Sequence, residues 1–340
     1  MARIQLVETA RALAALGHEV DIATAELRFL ARRRPIVMAR GVRRVPLTRA
    51  RWSDYDAVET NFHQGWETLE RYGGSGHPFV IAKLGSVVGP EDMAGIYYYG
   101  RDREHMFDTQ RAIHERARFV TLLSGAAQEL WATTLGPREG HLLVPGAAAT
   151  EIPDVGRDPF PPRDAAVRVV FSGNLYDWEP EGNRVLSEKL NTLGRILAGR
   201  ARVYFVGPGR THHLDSRVVT NLGVASYEAS WQHMFHADVG IVVSAGAFMH
   251  NNESTKLYHY LRSGLPIVSE SGFPNDHVVT ESGFGYVVPS GDMETMAARI
   301  LDAAHQPWDR AAAVRYALEH HTWQARMRTY DELLRSHFPS

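Results

Sequence analysis

The second half of this chain alternates short apolar runs with segments of helical period, and that pattern leaves few folds open. The runs are Arg168–Ser172, Arg202–Val206, Val218–Leu222, Asp238–Ser244, Leu265–Ser269 and Gly285–Val288. Between them, Asn183–Leu197, Tyr227–His236, a stretch opening near Ser254, and Met293–Ala304 carry helical spacing. Runs that are apolar throughout belong to strands buried on both faces, which is the habit of parallel sheets. Strands alternating with helices imply a doubly wound parallel sheet, whose ligands bind beyond the strand C-termini.

The segment Asn251–Glu270, NNESTKLYHYLRSGLPIVSE, holds the most chemistry at such a position. Leu257, Tyr260 and Leu261 fall at i, i+3 and i+4, Ser254 is a suitable N-cap, and Ser263-Gly264 is a helix stop. Glu253, Ser254, Thr255, Lys256 and His259 are thereby gathered near the start of one helix, with Asn251 just before it. Lysine charge and free backbone N–H groups there suit an anion such as a diphosphate. The plain alternative is a surface helix carrying a solvated lysine and histidine. Two glycine turns lie at equivalent places, Gly173-Asn174 after the first run and Gly207-Pro-Gly209 after the second. A glycine there lets backbone approach a phosphate closely.

The first half opens differently. Arg3–Leu16 repeats apolar residues at Ile4, Val7, Ala10, Leu13 and Ala14, then Gly17-His18 leads into a strand at Glu19–Thr24. A helix therefore precedes the first strand, so a first strand is expected to be missing: either the sequence starts downstream of it or this domain has lost an edge element. Tyr55–Glu59 reads as a strand running into Thr60–Gly65, which makes His63 a candidate proton acceptor, or else a structural histidine. Pro78–Leu84 is strongly apolar, and the loop after it carries Glu91 and Asp92. Either carboxylate could act as a general base or simply complement a helix dipole. Met106–Ala117 and Ala126–Leu135 read as helices, Phe119–Ser124 and His141–Pro145 as strands. The Pro-, Asp- and Arg-rich stretch from Gly146 to Arg163 is the best linker. The expected organisation is an acceptor-side domain at 1–150 and a nucleotide-binding domain at 164–310. A C-terminal element at 311–340 crosses back to the first, its Trp323, Met327, Tyr330 and Leu334 spaced for a helix face.

Between Arg28 and Arg51 stand nine arginines and no acidic residue. That segment is either a solvated loop around a strand at Pro35–Met38 or a patch for an anionic membrane surface or phosphate-bearing acceptor. Aromatics are not interleaved in the register that single-stranded nucleic acid needs, and the net charge is −2, so no nucleic-acid partner is expected. Cysteine is absent, which excludes disulfides and thiolate metal sites. No run has the length of a membrane span and the N-terminus has no signal-peptide core. These features predict a cytoplasmic protein, at most peripheral on the inner face of the membrane.

Taken together, the residues resemble the two-Rossmann-domain (GT-B) nucleotide-sugar glycosyltransferases. Arg11–Val20 (RALAALGHEV) is similar to their first N-domain helix and strand. Tyr227–Val243, Lys256-Leu-x-x-Tyr260 and Gly264-Leu-Pro-Ile-Val268 are similar to their donor half, and His321-Thr-Trp323 to their cross-over helix. The donor half most resembles the bacterial family-4-like enzymes and the xanthan-type glucuronosyltransferase. The resemblance implies an α/β protein of two Rossmann-like domains that moves a sugar from a nucleoside-diphosphate sugar, UDP-linked by expectation. The acceptor would be a glycan, a lipid-linked or a small molecule, as in polysaccharide biosynthesis. It further implies that Lys256 neutralises the diphosphate, that Gly173-Asn174 approaches the phosphates, and that His259 stands where most of these enzymes place a ribose-binding glutamate. Asn251, with Glu253 two residues on, occupies the spacing of the residue that touches the donor sugar. No metal site and no cofactor are expected. Asp54-x-Asp56 precedes a strand instead of following one, and no G-x-G-x-x-G follows a strand, which argues against a nicotinamide enzyme. Two rival functions share the fold: an epimerase acting on the donor alone, and a non-catalytic nucleotide-sugar-binding partner subunit.

Overall fold

A computed structural model of the protein describes residues 2–24, 36–89, 100–151, 153–162, 166–176 and 180–339. The chain divides into two compact units. The described part of the first comprises residues up to 89, Gly100–Pro145, and those from Thr322 onward; the second runs from Gly146 to His321.

The first unit begins with helix α1 (Ala2–Ala15), which Gly17 ends with a φ of +102°. Strands β1 (Val20–Thr24), β2 (Ile36–Ala39) and β3 (Val42–Pro46) form one sheet in the order β1-β3-β2, with β3 parallel to β1 and antiparallel to β2. Strand β4 (Val58–Asn61), helix α2 (Phe62–Arg71), β5 (Val80–Lys83), α3 (Gly100–Arg116), β6 (Phe119–Leu122), α4 (Gly125–Leu135) and β7 (His141–Leu143) follow. The four strands make a parallel sheet in chain order, packed around Trp66, Ile113 and Trp131. Among the described residues no strand precedes α1, and the strands of this unit stand in two separate sheets.

The second unit holds β8 (Val167–Ser172), α5 (Pro180–Ile196), β9 (Ala201–Val206), β10 (Val219–Asn221), α6 (Tyr227–His236), β11 (Val239–Val242), α7 (Lys256–Arg262), β12 (Ile267–Glu270), α8 (His277–Glu281), β13 (Gly285–Val288), α9 (Met293–His305) and α10 (Arg310–His320). Its six strands are parallel in the order β10-β9-β8-β11-β12-β13. Helices α5 and α9 pack together against the strands, α10 packs on α7, and α6 meets α7 where Trp231 packs on His259 and Arg262, so the sheet is wound on both faces. The core, from Val169 and Phe171 through Ile241 to Met296, is continuous. Because β8 is flanked by β9 on one side and β11 on the other, the winding direction reverses between β8 and β11. That is the switch point at which doubly wound sheets open a ligand crevice.

The terminal helical segment is broken in two. Helix α10 ends at His320, Thr322 caps the next helix through a bond from Ala325 N (3.2 Å), and α11 (Trp323–His337) packs with the first unit. There α11 lies on α1: His18 Nε2 meets Asp331 at 2.8 Å and Arg335 donates to Leu16 O at 2.9 Å. Tyr330 shares a 2.8 Å hydrogen bond with Thr121 on β6, and the Lys83 ammonium lies 4.6 Å from the Trp323 ring while donating to Thr9.

Several boundaries differ from the sequence pattern. The strand expected at Tyr55–Glu59 runs from Val58 to Asn61 instead, because Asp54 and Tyr55 are taken up by a 3-10 turn and its exit. Helix α2 starts at once, with Phe62 in the left-handed region (φ 58°). The arginine-rich segment contains β3, a strand the sequence pattern does not announce, while its residues 28–35 lie outside the described residues.

Candidate active site

The Lys-Leu-x-x-Tyr spacing acquires a physical meaning at the switch point. Lys256 and Tyr260 are four residues apart, so they project from one face of α7. Tyr260 is fully buried and wedges between the ends of β8 and β11. Its hydroxyl accepts from Ser172 N at 3.0 Å and lies 3.4 Å from Val170 O and 3.3 Å from Ile241 O. Gly240 makes the room: a Cβ there would stand 2.7 Å from the tyrosine ring. Burial holds the phenol above its ordinary pKa, so it stays a protonated donor. Tyr260→Phe should cost about 1–2 kcal/mol in a urea melt, since Ser172 N would lose its acceptor.

One turn earlier Lys256 reaches over Gly173. Its Cε and Nζ would be 2.5 Å and 3.2 Å from a Cβ at Gly173, and Nζ lies 5.1 Å from the Phe171 ring. Among the described residues the Lys256 side chain has no hydrogen bond and no ion pair. Burial of this charge lowers its pKa to about 8. An unpaired, partly desolvated ammonium at a strand end is a prepared site for an anion.

The loops beneath it are held by backbone. Gly207, at φ +149°, abuts Gly173 so closely that a Cβ would sit 1.7 Å from Gly173 O. Gly173 N donates to Val206 O at 3.0 Å and Gly207 N to Gly223 O at 2.9 Å. Asn174 turns its side chain back to accept from Tyr176 N at 2.7 Å, which supports the left-handed φ of 49° at Tyr176. Asn183 then joins the two loops, donating to Leu175 O and to Arg210 O, the latter at 2.8 Å.

The remaining candidates on this side sit around Lys256 in different roles. The cap expected at Ser254 falls on Thr255, whose backbone is helical and whose side chain makes no capping bond. The cause is Asn275, which clamps Ser254 on both sides: Ser254 N donates to its Oδ1 at 2.9 Å and its Nδ2 donates to Ser254 O at 3.1 Å. Ser254 Oγ is left buried and without a hydrogen-bond partner. Helix α7 has only seven residues, so Lys256 itself supplies the positive charge more than the helix end does. Asn251 closes a 3-10 turn over Ala247–Asn251.

Glu253 has its own anchor: Oε2 accepts from Gly146 N at 2.6 Å and Oε1 from the Tyr258 hydroxyl at 3.1 Å. Tyr258 in turn stacks on His321 at 5.0 Å, and His321 O accepts from Ala148 N at 2.8 Å. The points where the chain enters and leaves the second unit are thus fastened to the same six residues, Glu253 to Tyr258. His259 packs edge-on to Trp231 (5.2 Å) and Tyr227 (6.0 Å) with its Nδ1 buried and unpartnered. Burial, with help from Arg262 and Lys256, takes its pKa down to about 3, so the ring is neutral.

Glu270, at the end of β12, is completely buried and fully engaged. Its carboxylate takes Lys189 Nζ at 2.7 and 2.8 Å, Ser244 N at 2.6 Å and Gly291 N at 2.8 Å. It ties α5 and three strand ends together beside the crevice. Asn183 and Asn275 were missed as site-shaping residues in the sequence, Tyr260 was visible only through the Lys-Leu-x-x-Tyr spacing, and Glu270 only as a residue at the end of an apolar run.

In the first unit His63 lies in the first turn of α2, 2% exposed, 3.3 Å from Gln110 Oε1. Gln110 also brackets Val88, accepting from its N at 2.6 Å and donating to its O at 2.9 Å. Burial lowers the imidazole pKa to about 4. The ring therefore braces the loop after β5. Glu91 and Asp92 lie outside the described residues.

No family model matches the sequence, and no curated protein matches it. Solved structures do match the fold. A sucrose-phosphate synthase from Thermosynechococcus elongatus superposes with a TM-score of 0.72 at 15% identity, covering 99% of this chain and 93% of that one. WaaG, a glycosyltransferase involved in lipopolysaccharide biosynthesis, gives 0.60 at 12% identity over 100% and 96% of the two chains. Anabaena HepE, in complex with UDP and glucose, gives 0.62 at 14% identity over 83% and 78%. The fold is that of the two-Rossmann-domain, GT-B glycosyltransferases.

Proposed function

We propose that the protein is a glycosyltransferase that takes a sugar from a nucleoside-diphosphate sugar, with UDP as the nucleotide, and passes it to an acceptor hydroxyl. The observation that carries this reading is Lys256, whose ammonium lies over Gly173 at the switch point of the second sheet with no hydrogen bond or ion pair among the described residues. The fold neighbours support it, one of them bound to UDP and glucose. In the proposed reaction the bond from the anomeric carbon to the β-phosphate oxygen breaks, the acceptor oxygen bonds to that carbon, and the nucleoside diphosphate leaves. Lys256 balances the charge that grows on the departing diphosphate, with Gly173 and Asn174 letting the backbone close on it. That lysine is the basis for proposing transfer without a divalent metal. If the reaction inverts the anomeric centre, the acceptor proton goes to a carboxylate, which we assign to Glu91 or Asp92 because the His63 ring is engaged with Gln110.

The acceptor is proposed to be a glycan, lipid-linked or small molecule, as in polysaccharide assembly, met in the cytoplasm or at the inner face of the membrane. No described helix is long and apolar enough to cross a membrane. Calorimetric titration with UDP, GDP, ADP and dTDP tests the donor site. UDP is expected to bind in preference to the others and to protect the protein thermally. Binding of none of the four would overturn the reading. Incubation with the UDP-sugar alone separates transfer from epimerisation, since an epimerase converts the sugar with no acceptor present.

A further inference from the structure

Helix α7 and the loop before it look two ways. One side carries Lys256, over Gly173, and Tyr260, whose hydroxyl holds Ser172 N at the switch point. The other side meets Gly146, where the described chain passes from the first unit to the second after Pro145. Gly146 N donates to Glu253 Oε2 at 2.6 Å. A Cβ on Gly146 would stand 2.9 Å from Thr255 Cγ2, 3.3 Å from the Tyr258 ring and 3.4 Å from Glu253 Oε2. The backbone at that crossing therefore touches residues on both sides of Lys256. Tyr258 reaches the second crossing as well. Its hydroxyl donates to Glu253 Oε1 at 3.1 Å, and its ring stacks on His321, where the chain passes back to the first unit before Thr322. His321 O accepts from Ala148 N at 2.8 Å, so the incoming and outgoing chains are bonded to each other beside the same helix. Gly146, Ala148 and Tyr258 are buried, and these bonds are made away from solvent. A carboxylate repels a diphosphate, and Glu253 stands three residues before Lys256. Its two oxygens are spent on Gly146 and Tyr258, which gives the charge a use other than the ligand.

We propose that Glu253 is a positioning residue that ties the diphosphate site to both crossings, so that an anion bound by Lys256 steadies the chain at Gly146 and at His321. The proposal rests on the reading of Lys256 as the diphosphate site. Helix α7 is the means. It is short and buried from Leu257 to Arg262, and Lys256 and Tyr258 both stand on it. Lys256 cannot settle on a ligand without fixing Thr255 and Tyr258, and Glu253 joins Tyr258 to Gly146 N. Binding that quiets the helix therefore quiets the crossings, a coupling through order that needs no change of shape.

Gly146 N and Ala148 N are themselves the reporters, since both are bonded at this junction. Amide hydrogen exchange is followed by mass spectrometry on the full-length protein with and without UDP, each variant at a concentration that calorimetry shows to be saturating. UDP should slow exchange in the peptides holding Gly146 and Ala148 by about fivefold or more. Glu253→Ala should still bind UDP but lose that slowing. Glu253→Gln keeps one acceptor oxygen and should recover part of it. Tyr258→Phe keeps the ring on His321 and removes only the donor to Oε1, so it should give an intermediate slowing. It stands in for Glu253→Ala if that variant does not fold. Unchanged exchange in the wild type while UDP binds overturns the proposal and leaves the donor reading standing. Slowing that persists in Glu253→Ala, with affinity lost only for UDP-glucose, makes the carboxylate a sugar ligand and overturns it too. If UDP does not bind the wild type, the donor reading fails and this proposal falls with it.

Discussion

Lys256→Ala is expected to weaken UDP binding about 10- to 100-fold while leaving the melting temperature unchanged or higher. The affinity loss follows from removing a charged hydrogen-bond donor to the diphosphate, worth about 1.5–3 kcal/mol. The stability outcome separates a ligand-binding lysine from a structural one. In the free protein this ammonium is partly desolvated and, among the described residues, has no hydrogen bond or ion pair beyond its approach to the Phe171 ring, so its removal relieves a cost. A structural lysine would lower the melting temperature on truncation.

The pH dependence has a definite sign. Lys256 has its pKa depressed from 10.5 to about 8 in the folded protein, so the folded state loses this proton before the unfolded state does. Its destabilising contribution is fully present below pH 8 and is relieved as pH rises from 8 toward 10.5. UDP affinity moves the other way, falling as pH rises through 8 because the neutral amine no longer balances the diphosphate. A UDP affinity that is flat between pH 7 and 9, measured by calorimetry, would remove Lys256 from the diphosphate site.

Glu270→Ala is expected to destabilise the protein by about 3–5 kcal/mol, the usual cost of removing one partner of a buried ion pair. Lys189 would keep a charge with Ser244 O as its remaining acceptor among the described residues, and the N–H groups of Ser244 and Gly291 would lose their acceptor. Glu270→Gln preserves the shape and one acceptor oxygen, and should recover part of the loss. Chemical denaturation with matched m-values measures both. A change under 1 kcal/mol for Glu270→Ala would mean that the carboxylate is replaceable by water. The loops after β11 and β13 would then stand without it.

The alternation of elements was legible because it is local. Tyr227–His236 and Gly285–Val288 are found with the boundaries their apolar spacing indicates. Gly264 ends α7 at φ +59°, as a glycine at that place should. The first unit was less legible where one residue departs from its usual conformation: Phe62 turns left-handed straight after β4, and nothing in a phenylalanine announces it. Contacts between distant residues were not legible at all. The resemblance set Asn251 at the donor-sugar spacing with Glu253 two residues on, and nothing local showed that the Glu253 carboxylate is held by the backbone of Gly146, 107 positions earlier. The tyrosine of Lys-Leu-x-x-Tyr was visible as a helix-face residue. That it opens the sheet at the switch point depends on strands 88 and 19 residues away.

The seating of α11 on α1 sets the order in which the protein can be completed as it is made. The described part of the second unit, residues 146–321, is one continuous stretch, so it can close around its core while the remaining chain is still inside the ribosome. The half that emerges earlier has no such freedom. Its first helix must wait more than three hundred residues for Asp331 and Arg335, and Thr121 must wait for Tyr330. Until then the surfaces that α11 will cover stay open to chaperones and to other nascent chains. The half that begins first is finished last.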